Sequence, residues 1–137
     1  MVEDVILNKA SSIERCIRRI EEEYAGTEQS LIENQTKQDA IVLNLQRACE
    51  TAIDLAMYVV SYRKLGVPQD SRDAFTLLQT AGILPADLAD RMQRMVGFRN
   101  VAVHEYTRLN LDMVRTIITK HLDDFRTDSL MIVKACA

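Results

Sequence analysis

Apolar residues recur along the chain at intervals of three and four, the period of a helix with one buried face. Val2, Ile6, Ile13, Cys16, Ile17, Ile20 and Tyr24 form the first series, with Arg15, Arg18, Arg19, Glu21, Glu22 and Glu23 among them. The spacing predicts an amphipathic helix ending near Gly26. Polar residues over 27–37 predict a loop or a short irregular helix. Ile41, Leu45, Ala48, Ala52, Leu55 and Val59 then mark a second, longer helix that stops near Gly66-Val67-Pro68. Val42, Cys49, Ile53, Ala56 and Val60 widen its apolar arc enough to meet more than one neighbour, which makes it the central helix.

Asp70 or Ser71 suits the N-cap of a short third helix through Phe75, Leu77 and Leu78, and Gly82 suits its end. Pro85 fits the first turn of the next helix. That fourth helix carries Leu88, Met92, Met95 and Val96 and runs into Arg99-Asn100-Val101-Ala102-Val103-His104-Glu105-Tyr106. Asn110 can cap a fifth, which presents Leu111, Val114, Ile117, Ile118, Leu122 and Phe125 on one face. Four substantial helices with short connections predict an all-α fold, an up-and-down four-helix bundle with the short third helix as an accessory. A length of 137 residues suits one domain, 1–137. Scarce glycine and proline, four and two, agree with helices rather than turn-rich sheets.

Charge narrows the function classes. A net charge of −3 argues against holding nucleic acid through bulk charge, so any such contact must be local. The three cysteines, Cys16, Cys49 and Cys136, are far apart and form no CxxC pair, so neither a disulfide framework nor a zinc site is indicated. Cys16 and Cys49 read as small buried residues of a reducing cytoplasm. Glu3 and Asp4 stand where a signal peptide would carry positive charge, and no apolar run follows, so export is not expected. The uncharged stretch from Ala74 is broken by Gly82 and Pro85 and is too short for a membrane span.

The chemistry concentrates in the fourth helix. At about 100° per residue, Leu88, Met92, Met95, Arg99, Ala102 and Tyr106 fall close to one line, which puts a guanidinium on the apolar stripe. A charge that cannot be removed calls there for a carboxylate partner, a subunit interface or an anionic ligand. Arg91, Arg94 and Arg99 make a local cationic strip, with no acid from Arg91 to His104; such a strip is either a solvated face or a contact for phosphate. His104 lies about 140° around the helix from Arg99, whereas Asn100 shares its face. Gly97 lies on that side too, and its missing side chain lets another helix or a substrate backbone approach. A bend near Val103, or a cleft shared by two protomers, would bring Arg99 and His104 together; a symmetric dimer places each twice around one cleft.

An imidazole can take a proton from a ribose 2′-hydroxyl, and a guanidinium can stabilise charge growing on the attacked phosphate. That suffices for RNA cleavage without metal or cofactor. It leaves a 2′,3′-cyclic phosphate and a 5′-hydroxyl, with Asn100 orienting His104 or a phosphate oxygen and Arg91 and Arg94 as RNA contacts. Tyr106 on the residues alone is an anchor ending the apolar stripe. Glu50 and Asp54, with Arg47, read as a solvated charge cluster, though either acid is placed to orient Arg99. His104-Glu105 begins like a zinc-protease motif, but Arg108 stands where a second histidine is needed.

The pattern Arg99-Asn100-x-x-x-His104-x-Tyr106 resembles the R-x4-H-x-Y motif of the HEPN family, in particular its HepT toxins. Met95-Val96-Gly97-Phe98, Asn44-Leu45-Gln46-Arg47, Ala52-Ile53-Asp54-Leu55-Ala56 and Ser71-Arg72-Asp73-Ala74-Phe75-Thr76-Leu77-Leu78 are similar to HepT as well, so the likeness spans nearly the whole chain. It implies a helical-bundle homodimer with metal-independent ribonuclease activity, Arg99 and His104 of both protomers lining the cleft. It also implies an MNT-type nucleotidyltransferase antitoxin that transfers AMP to Tyr106, and RNA, mRNA or tRNA, as substrate. The rival reading is a noncatalytic helical module that binds nucleotide or a nucleotidyltransferase partner.

Overall fold

The computed structural model describes residues 2–24 and 28–136, and these are helical apart from short connections. Helix α1 is Val2–Tyr24, with Ile6, Ile13, Ile17 and Ile20 buried along the predicted stripe. Its expected end near Gly26 lies outside the described residues. The polar stretch that follows is a short helix, α2, Glu28–Glu33. Asn34 then caps α3, Gln35–Tyr62, by accepting from the Lys37 backbone, so the central helix begins inside the segment expected to be irregular. A local side-chain cap can start a helix among polar residues, where apolar periodicity carries no signal.

The wide apolar arc of α3 is real. Residues on several sides of it, from Ile41 and Val42 to Val59 and Val60, are buried. It packs against α1 and α2, against α4 (Ser71–Thr80) and α5 (Ala86–His104), and against α7 (Leu122–Cys136). The long helices α1, α3, α5 and α7 close a ring, since α1 also meets α7 and α5 meets both α3 and α7. Helix α4 lies against α3 and α5 as the predicted accessory. Asp70 caps it through the Asp73 amide, and Gly82 follows its end at φ 78, where a side chain would be strained. Pro85 sits one residue earlier than expected, as the N-cap of α5 rather than within its first turn.

The last predicted helix is present with Asn110 as its cap, but it is not uniform. Helix α6, Leu111–Thr116, passes through a π-helical turn, Ile117–His121, into α7. The turn puts both Ile117 and Ile118 in the core. Arg126 of α7 ties this rod to α1 through Glu14 and Glu21, with Asp123 as a third partner. No helix of the described residues is long and apolar enough to cross a membrane.

Candidate active site

Helix α5 carries the predicted line as far as Ala102. Leu88, Met92, Met95 and Ala102 are buried, and Arg99 is half-buried among them. The Arg99 side chain enters an open depression of about 350 Å³ lined by Glu50, Ile53, Asp54 and Met57 of α3 and by Ser71 at the start of α4. Neither acid pairs with it. Its Nε is buried without a hydrogen-bond acceptor, and the guanidinium has no ion pair among the described residues. The sequence left three partners open for this charge. No carboxylate of the described chain takes that role, which leaves a second protomer or an anionic ligand.

His104 is the last residue of α5, exposed, with no hydrogen bond among the described residues. The α-helix runs unbroken up to it, so at about 100° per residue the two side chains leave the helix about 140° apart. One protomer therefore does not bring the two side chains together. Asn100 is half-buried one turn before His104, and no hydrogen bond joins them.

Tyr106 is off the line. Glu105, at φ −139 and ψ 46, ends the helix, and Tyr106 opens a 3-10 turn, Tyr106–Arg108. The residue is 43% exposed rather than anchored in the core. The hydroxyl donates to Asp39 Oδ1 of α3 at 2.6 Å, and Gln35 donates to the same oxygen at 2.9 Å. Partial burial, reinforced by this bond, pushes the phenol up to about 12. Donation by Tyr106 and then by Gln35 holds the Asp39 carboxyl below its usual range.

Two of the three arginines of the cationic strip prove to be compensated. Arg91 pairs with Asp124 of α7 at 3.1 Å and with Asp87 at 3.4 Å, and Arg94 pairs with Asp90 at 3.2 Å. Both arginines border a separate groove of about 430 Å³ floored by Met95, Phe98 and Ile117 and rimmed by His121. What approaches Gly97 is the guanidinium of Arg72, 3.1 Å from where a Cβ would stand. Arg72 donates through Nε to the Gln93 carbonyl at 3.4 Å and has no acidic partner among the described residues. It stands on the same side of α5 as Asn100 and His104, a cation the motif did not reveal. Its signal in the sequence was indirect: a glycine inside a helix at a spacing that faces His104. Asp39 had no signal there at all.

Cys49 is buried and Cys16 only half so, both as free thiols. No cluster of metal-ligating side chains occurs among the described residues.

Comparison with known proteins identifies the family. Residues 13–131 match the family described as ribonuclease HepT-like. The chain is 46% identical over 122 residues to the mRNA nuclease HepT of Shewanella oneidensis strain MR-1, covering 89% of this chain and 91% of that protein. Among solved structures it is similar to the tri-AMPylated Shewanella oneidensis HEPN toxin in complex with MNT antitoxin, with a TM-score of 0.90 at 44% identity over 96% of this chain and 98% of that one. A toxin-antitoxin crystal structure with AMP-PNP superimposes equally well, with a TM-score of 0.90 at 43% identity and the same coverage.

Proposed function

Since the chain belongs to the ribonuclease HepT-like family, we propose that it is a metal-independent endoribonuclease toxin, active as a homodimer and neutralised by an MNT-type nucleotidyltransferase. The observation that carries the reading is Arg99, a guanidinium placed on the inner face of α5 with a buried, unpartnered Nε. Holding a permanent charge there costs stability unless an anion completes it. An RNA phosphate is such an anion, and two-fold symmetry supplies what one chain lacks by placing Arg99 of one protomer near His104 of the other.

In that cleft His104 takes the proton of the ribose 2′-hydroxyl as its oxygen attacks phosphorus. The bond to the 5′-oxygen breaks, and the second copy of His104 delivers the proton that oxygen needs. The products are a 2′,3′-cyclic phosphate and a 5′-hydroxyl. Arg99 stabilises the charge on the phosphoryl oxygens, and Asn100 orients His104 or one of those oxygens. Arg72 adds a cation beside them. Arg91 and Arg94 contact phosphates farther along the strand. To do so Arg94 has to leave only the exposed Asp90, whereas Arg91 has to leave the more sheltered Asp124 as well.

Tyr106 is the residue of this chain at which the antitoxin adds AMP. Its exposure and its place on a turn beyond the helix make the hydroxyl reachable, and a nucleotide phosphate there would compete with RNA for the cations of the cleft. The test is cleavage of defined tRNA and mRNA by purified protein, with analysis of the ends. Cyclic phosphates are expected, lost in Arg99→Ala and in His104→Ala. Absence of cleavage by the wild-type protein would favour the noncatalytic module instead.

A further inference from the structure

Asp39 is the residue the motif does not account for. It lies one turn into α3, far from Tyr106 in sequence, yet its Oδ1 stands 2.6 Å from the phenolic oxygen. Gln35, one turn earlier, fixes the carboxylate by donating to the same atom. The nearest charges on the tyrosine's own turn are engaged with each other, since Glu105 pairs with Arg108 at 3.4 Å. Among the described residues no lysine or arginine pairs with Asp39. An exposed carboxylate in this setting contributes little to stability, but it points at the one atom that has to lose a proton if Tyr106 is to act as a nucleophile.

We propose that Asp39 is the general base that takes the phenolic proton of Tyr106 as its oxygen is nucleotidylated. The assignment rests on the reading of Tyr106 as the site of AMP addition. In the step, the Tyr106 oxygen bonds to the α-phosphorus of ATP, and the bond from that phosphorus to the bridging oxygen of the β-phosphate breaks. Pyrophosphate leaves, and the proton passes to Asp39 Oδ1 and on to solvent. A phenol held up at about 12 supplies almost no phenolate at neutral pH, so removal of the proton has to accompany bond formation. Hydrogen-bond distance to the proton is the first requirement of a base, and it is met before the antitoxin arrives. Afterwards the ester oxygen has no proton to donate, and a phosphodiester charge stands beside the carboxylate, so attraction between the turn and α3 gives way to repulsion.

Asp39→Asn separates a base from a mere tether, because the amide oxygen still accepts the hydroxyl but takes up no proton. The measurement is the single-turnover rate of AMP addition, by intact mass, with saturating MNT antitoxin and ATP. At pH 7 Asp39→Asn should be at least about 30-fold slower than wild type, with the rate climbing as pH rises because hydroxide substitutes for the base. Asp39→Glu should recover part of the rate. Far-UV circular dichroism and melting temperature establish that each variant is folded. If Asp39→Asn reacts as fast as wild type, Tyr106 remains the target and Asp39 is not its base. If the wild-type mass does not change, the reading of Tyr106 and the role of Asp39 fall together.

Discussion

Among the described residues, Asp128 and Arg99 both bury side-chain polar atoms that no partner satisfies, and they resolve the problem in opposite ways. Asp128 faces the core from α7, fully buried, with both carboxyl oxygens free of hydrogen bonds. Burial pushes it up to about 8, so at neutral pH it keeps its proton and carries no charge. Arg99, between α3 and α5, has no such escape, because a guanidinium does not lose its proton at any physiological pH. Asp128 meets its burial within the chain by giving up its charge. Arg99 is completed only from outside, and the same kind of anomaly thus points to a core defect in one place and to a site in the other.

The largest expected effect tests the Arg99 side of this contrast. Arg99→Ala should lower RNA cleavage about 1000-fold, the scale for losing one donor to a developing charge, while the melting temperature stays level or rises. A marked loss of stability instead would make Arg99 a structural residue like Arg126.

Asp128 should reveal itself through pH. Between 3.8, the ordinary value, and about 8, the folded chain holds a proton that the unfolded chain has released. Stability therefore falls as pH rises through that window, by up to about 1.4 kcal/mol per unit. Melting curves from pH 5 to 8 should show this decline, and Asp128→Asn should flatten it. A wild-type melting temperature that is constant over that range would count against a neutral buried carboxyl.

Arg126 sharpens the comparison, being an arginine whose charge is satisfied internally. It reaches Glu14 at 2.8 Å, Glu21 at 2.8 Å and Asp123 at 3.1 Å. Arg126→Ala should cost about 1–2 kcal/mol in chemical denaturation, since the network is partly exposed, and leave cleavage unchanged. Smallest of all, Arg94→Ala should weaken RNA binding by less than about threefold and reduce the slope of log K against log salt by about one.

The long helices were legible because each presents an apolar face at helical spacing, and α4 and α6 because each begins at a capping side chain. The site was legible only along its own helix. Arg99 was recognisable as misplaced because Met92, Met95 and Ala102 define the stripe around it. The partners of Arg91 and Arg94 were not legible in the strip, because Asp87 and Asp90 stand one turn before them, just outside the acid-free stretch, and because Asp124 comes from another helix. Tyr106 was projected onto the helix because nothing at Glu105 signals its end; no glycine or proline stands there. The Tyr106–Asp39 bond joins two distant exposed polar residues, and hydrophobic patterning contains no trace of such a contact.

The π-helical turn at Ile117–His121 bears on how this rod can change in length. A π turn is an α-helix carrying one residue more than its rotation needs. Removal of one residue from this turn lets the ladder close as an ordinary α-helix, with Val114 and Phe125 keeping their inward faces. The same deletion between the π turn and Ile132 turns everything beyond it by about 100° and carries Ile132 out of the core. Single-residue gaps in this rod are therefore tolerable at the wall of the groove beside Phe98, and not between there and Ile132.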